Sequence, residues 1–215
     1  MSAELISLFT ASFVTFFVLI DALGVAPVFA TLTASGDAAY RRRMAIKSII
    51  VATIIIYGFA FGGSWLLGAM HISIDAFRAA GGILLFMIAL DMVFEKRTER
   101  REHRAEEHLG SHAADPEPDD VSVFPLGIPM VAGPGTIATA MFYMSDKSDW
   151  IEKGIVLSAI GLNLALTLLI FLAAGPLVRL MGASVAGALT RILGVILAAL
   201  SVQLLIDGIR GAFNL

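Results

Sequence analysis

Asp21, Gly24 and Pro27 interrupt an apolar run near the start of the chain, and Gly133, Pro134, Gly135 and Thr136 interrupt another past its middle. Proline removes a backbone donor and clashes with the preceding turn. Glycine takes conformations that other residues avoid. If these runs cross a bilayer, the breaks release N–H and C=O groups at a depth where only protein or a watered cavity can satisfy them. The chemistry open to such a site is recognition. A half-helix N-terminus offers donors to a carboxylate, while carbonyls or an acid receive an ammonium. A small zwitterion needs both. Asp21 is costly at membrane depth and reads by default as a functional group, for a proton or an ammonium; the alternative is a cap on the half-helix that begins there. Thr136 either caps a half-helix or touches the solute. Asn163 is a further candidate contact, or an amide that ties neighbouring helices.

Hydrolytic chemistry has little to work with. The chain has no cysteine, and His71 is the only histidine outside one long charged segment. Neither a HExxH pattern nor a GxxxxGK[ST] nucleotide loop occurs. The charged segment, Glu95–Asp120, is basic first and acidic after, and reads as a solvated loop. Its His103, His108 and His112 lack a clean ligand spacing, so no metal site and no cofactor are implied. A metal or drug exporter that draws on those histidines is the rival transport reading, and a non-transporting scaffold is the other.

The elements that position these residues follow from composition. Of 215 residues, 58% are hydrophobic and 15% charged, with mean hydropathy +0.85. Soluble domains sit near 45–50% apolar and about 25% charged. The reading is an all-α, polytopic membrane protein that has the lipid bilayer as its partner and is not an enzyme. The net charge of −3 implies no nucleic-acid partner. A spanning helix needs about 20 mostly apolar residues. Six segments qualify: 5–32, 45–67, 77–94, 121–144, 154–174 and 185–206, the first and fourth broken. Of the 15 Lys and Arg, four (Arg78, Lys147, Lys153 and Arg210) fall on one side. The others fall in the one-two and three-four connections or flank the five-six loop, as Arg179 and Arg191 do. Positive charge marks the cytoplasmic side, so both termini are expected on the periplasmic side.

The halves resemble each other. Gly24 to Arg78 is 54 residues and Gly135 to Arg191 is 56. Both arginines open an Arg-x-x-Gly pattern followed by an aliphatic helix, in RAAGGILLFMIAL and RILGVILAALSVQ. Gly81 and Gly194 are expected to permit close helix packing, and Asp91 reads as interfacial. The organisation is a three-helix repeat over 1–95, a charged cytoplasmic loop over 96–120 and a second three-helix repeat over 121–215. Three spans per half invert the second repeat, an arrangement typical of secondary transporters with a midplane site between discontinuous helices.

At these motifs the chain resembles the MarC family, also called the neutral amino acid transporter family. FFVLIDALGVAPVFATLT is similar to the first signature, PLGIPMVAGPGTIATAMF to the second, and RAAGGILLFMIALDM and RILGVILAALSVQLLIDGI to the ends of the halves. Ala22 and Val25 stand where the first motif usually has proline and asparagine, which points to a milder first break. The resemblance implies a multi-pass protein of the bacterial inner membrane that moves a small-molecule substrate, with neutral amino acids such as glycine or alanine favoured. Oligomeric state is left open.

Overall fold

The computed structural model describes residues 3–94, Arg100, His103 and residues 120–213. His108 and His112 lie outside the described residues, as does most of the charged loop. Every described element is helical: α1 (Ala3–Ile20), α2 (Ala22–Leu32), α3 (Ala38–Ala69), α4 (Ile74–Val93), α5 (Ser122–Val131), α6 (Pro134–Asp146), α7 (Trp150–Leu172) and α8 (Ala174–Phe213). Asp37, Ser73 and Asp149 cap α3, α4 and α7, accepting from the N–H groups of Tyr40, Ala76 and Ile151 at 2.7, 3.1 and 3.2 Å. Each cap satisfies one of the donors that a helix start leaves open. At the far end of α3, His71 takes φ 57°. Its N–H bonds Gly68 O at 3.1 Å, and the N–H of Ile72 bonds Leu67 O at 3.0 Å. This paired closure ends a helix through one left-handed residue, which gives His71 a backbone role.

Among the described residues, five helices are long and apolar enough to cross a membrane, or six spans when the bent pair α5 and α6 is counted as one. The chain is therefore a polytopic all-α membrane protein. The broken spans differ. α1 and α2 continue as one 30-residue span, whereas α5 and α6 turn by 58° at their junction. Pro27, expected to mark the first break, lies inside α2; the break falls at Asp21. The expected five-six loop is also replaced. α8 runs unbroken from Ala174 for 40 residues, so Arg179 is helical. Pro176 does not oppose this, because it stands in the first turn, where N–H groups have no intrahelical acceptor.

The strongest packing crosses between the halves. α4 lies along α8, α1 packs on α7, α2 on α8, and α3 on α5 and α6. Exchange of the halves maps α1·α7 onto α5·α3, and α2·α8 onto α6·α4, both of which are present. Phe29 of α2 stacks on Phe171 of α7 with centroids 4.6 Å apart. α4 and α8 approach through glycines. A Cβ at Gly82 would stand 2.7 Å from Leu205 N and 2.8 Å from Ser201 O, and one at Gly208 2.5 Å from Ala79 N. Gly194 fits against Met92, as expected, but Gly81 faces open space and its neighbour Gly82 makes the contact. Spacing alone could not separate two adjacent glycines; the helix rotation does.

Charges pair near the ends of the spans. Arg78 bonds Asp75 at 3.2 Å and also Asp146, and its guanidinium lies 5.0 Å over the Phe142 ring. Lys47 Nζ meets Asp120 Oδ2 at 2.7 Å, joining α3 to the entry of α5. Burial alone would raise the Asp120 pKa, but hydrogen bonds from Lys47 and Ser122, with the Lys47 charge, outweigh it and hold the group at about 2, below the ordinary 3.8. A depressed acid stabilises the fold fully above its ordinary pKa and loses that contribution as pH falls through its folded value.

Two outcomes follow for thermal unfolding in detergent. The stability difference between wild type and Asp120→Asn should stay constant from neutral pH to about 4 and vanish toward pH 2. Gly82→Ala should cost about 1–3 kcal/mol by overpacking, whereas Gly81→Ala should gain about 0.5–1 kcal/mol of helix stability.

Candidate functional site

The second break starts in α5. Phe124 and Ile128 are extended, at φ −127° and −129°, as residues that precede proline favour, and cis peptides join them to Pro125 and Pro129. The bonds at the two ends of α5 close five-residue turns: Leu126 N reaches Val121 O at 3.4 Å and Ala132 N reaches Gly127 O at 2.9 Å. α6 then begins at Gly133 with Pro134 in its first turn and no side-chain cap. Proline suits that position, since its missing donor would have had no partner. The N–H groups of Gly135 and Thr136 thus open the helix next to a cavity of about 240 Å³.

Gly133, Pro134, Gly135 and Thr136 all line this cavity, with Pro129 and Met130 from α5, Leu19 from α1, Ile88 and Asp91 from α4, and Arg100. Thr136 is only 3% exposed. Asp91 pairs with Arg100. The cavity is therefore lined both by the uncapped start of a helix and by a carboxylate with its counter-ion. A Cβ at Gly135 would sit 2.6 Å from Ile88 Cδ1 and 3.5 Å from Leu19 Cδ2, so a larger residue there has to move the Ile88 side chain.

The first break lies close by, two residues beyond Leu19, and is built differently. Asp21 is left-handed, φ 50° and ψ 52°, and caps α2 by accepting from Gly24 N at 3.3 Å. A short polar side chain that bonds locally makes this conformation accessible. Its carboxylate is buried, 1% exposed, and faces Thr190 of α8, whose hydroxyl lies 3.4 and 3.5 Å from its two oxygens. Gly24 is needed there: a Cβ would stand 2.4 Å from Asp21 Oδ2 and 2.8 Å from Thr190 Oγ1.

The sequence candidates therefore separate into groups. Gly133, Pro134, Gly135 and Thr136 form one cavity wall. Asp21 and Gly24 form a buried contact with α8 beside it, and neither is a lining residue. Pro27 sits further along α2, where its carbonyl accepts from Thr31 Oγ1 at 3.0 Å. Asn163 donates to Phe13 O at 3.1 Å and to Ala159 O at 2.9 Å, tying α7 to α1 away from the cavity. Thr139, one turn beyond Thr136, is buried with its hydroxyl unpartnered. Sequence reasoning missed Arg100, Thr190 and the position of Asp91 on the cavity. Thr190 precedes Arg191 in the repeated motif, but nothing in its spacing places it opposite Asp21.

Comparison with known proteins agrees on the kind of molecule. Residues 6–213 match the MarC family of integral membrane proteins. A UPF0056 membrane protein of Methanocaldococcus jannaschii is 40% identical over 95% of this chain and 97% of its own length. One from Archaeoglobus fulgidus is 33% identical over 96% and 94%. The UPF0056 membrane protein YvbG of Bacillus subtilis is 34% identical over 94% and 93%. No solved structure matches the chain.

The crowding at the first break yields an expectation. Gly24→Ala should push the Asp21 carboxylate off Thr190 and cost about 1–3 kcal/mol, read as a lowered Tm in detergent. Thr139→Val, which removes a hydroxyl that has no partner, should be neutral or stabilising.

Proposed function

The chain belongs to the MarC family of integral membrane proteins, and we propose that it acts there as a secondary transporter of small neutral solutes, with neutral amino acids such as glycine and alanine favoured. The observation that carries this reading is the cavity at the second helix break, which the start of α6 with Thr136 shares with Asp91 and Arg100. Its volume, about 240 Å³, lies below the range of about 300–1,000 Å³ usual for drug-sized ligands, which favours a small solute over a drug. Its fixed charges cancel, since Asp91 is matched by Arg100; a solute with net charge would upset that balance.

Helix termini at a break supply donors without the cost of burying an extra charged side chain. The interlocked halves suit alternating access, in which one repeat rocks against the other around a central site. On this reading the solute crosses unchanged, the protein is not an enzyme, and its partners are the solute and the bilayer. The Lys and Arg distribution supports cytoplasmic placement of the basic connections, with both termini on the periplasmic face of a bacterial inner membrane.

Purified protein in liposomes should exchange labelled glycine or alanine. Gly135→Leu, which fills the cavity wall against Ile88, should cut that flux at least about tenfold, the effect of losing about 1.4 kcal/mol of binding or more, while membrane insertion is retained. Failure of wild-type liposomes to move any small neutral solute would leave a non-transporting role as the better account.

A further inference from the structure

The two polar walls of the cavity differ in whether they are already occupied. At the start of α6 no side chain caps the helix, and Thr136 lines the cavity there. That wall is open to an acceptor such as a carboxylate, by its N–H groups, its hydroxyl and the helix dipole. Asp91 is the carboxylate among the lining residues, and Arg100, itself a lining residue, holds it.

The placement of Asp91 has no explanation within its own helix. It stands in the last turn of α4, which ends at Val93, where a negative charge opposes the helix dipole. Its side chain is 25% exposed, so part of the charge is withdrawn from water and needs a partner. Arg100 meets that need loosely, since its own side chain is 61% exposed. Ion pairs this open to water are weak, and the long arginine side chain regains rotamer freedom on release.

We propose that Arg100 is an exchangeable stand-in for the cationic end of the solute. It occupies Asp91 while the cavity is empty, and an incoming ammonium group displaces it. This rests on the transporter reading of the same cavity, and it assigns the ends: carboxylate to Gly135 and Thr136, ammonium to Asp91. A solute without a cationic end leaves the Arg100–Asp91 pair in place, so Asp91 selects for zwitterions and Arg100 sets how tightly they are held.

The test is equilibrium binding of labelled alanine to the full-length protein in lipid nanodiscs, with propionate, which lacks the ammonium, as competitor. Arg100→Gln removes the internal rival and should tighten alanine binding by up to about fivefold, the worth of an exposed ion pair, with propionate competition unchanged. Arg100→Lys keeps a rival and should fall between the two. Asp91→Asn should weaken alanine binding about tenfold or more, as loss of a charged partner does, and on that background Arg100→Gln should have no effect. A pair that served only the fold would instead give weaker binding in both single variants. If Arg100→Gln weakens alanine binding or leaves it unchanged while wild type binds, the exchange is wrong and the transporter reading stands. If wild type neither binds nor moves any amino acid, both fall.

Discussion

Hydrocarbon offers no partner to a released backbone N–H or C=O, so each helix break must be satisfied by the protein itself. The two breaks meet this demand in different ways, and the rest of the molecule is arranged around the difference. At Asp21 the ladder continues across the kink: Asp21 N bonds Phe17 O at 3.1 Å, Val25 N bonds Asp21 O at 3.0 Å, and the carboxylate takes the N–H of Gly24. Little backbone is left over, and the two helices continue as one 30-residue span. Between α5 and α6 two prolines and a chain of wide turns leave the start of α6 without a side-chain cap. There the span bends by 58°, and a cavity remains in place of protein.

Close packing elsewhere allows that cavity to persist. α4 and α8 come together closely at Gly82, Gly194 and Gly208, and in lipid such close approach is a main source of helix association. Because the main contacts join one half to the other, neither half encloses the cavity alone. Leu19 comes from the first span, Ile88 and Asp91 from the third, Arg100 from the connection that follows it, and the remaining wall from the fourth. A movement of one half against the other would therefore reshape the cavity directly.

The placement of charge follows the same economy. Arg78 with Asp75 and Asp146, and Lys47 with Asp120, tie the ends of spans together where water can reach them. Asp21 is withdrawn among helices and met by a hydroxyl of α8. Asp91 lies between these extremes, at the edge of the cavity with a partner half in water. Carboxylates of one chemical type are thus set to different tasks by how much solvent each retains.

Composition and local pattern by themselves determined the membrane class, the number and order of the spans, and which two of them break, because a span's hydropathy and the backbone limits of proline and glycine are local properties. They also marked Gly133, Pro134, Gly135 and Thr136, since a Pro-Gly step cannot continue a helix. What only the tertiary structure decided was contact. It showed Gly82 at the α4–α8 crossing with Gly81 beside it in open space, Asn163 binding the backbone of α1, Pro27 absorbed inside a helix, and Thr190 set against Asp21. It also turned Asp91 from an interfacial residue into a wall of the cavity. Those facts depend on how each helix is rotated and which half it meets, and rotation is set by the packing of residues more than a hundred positions apart in the chain.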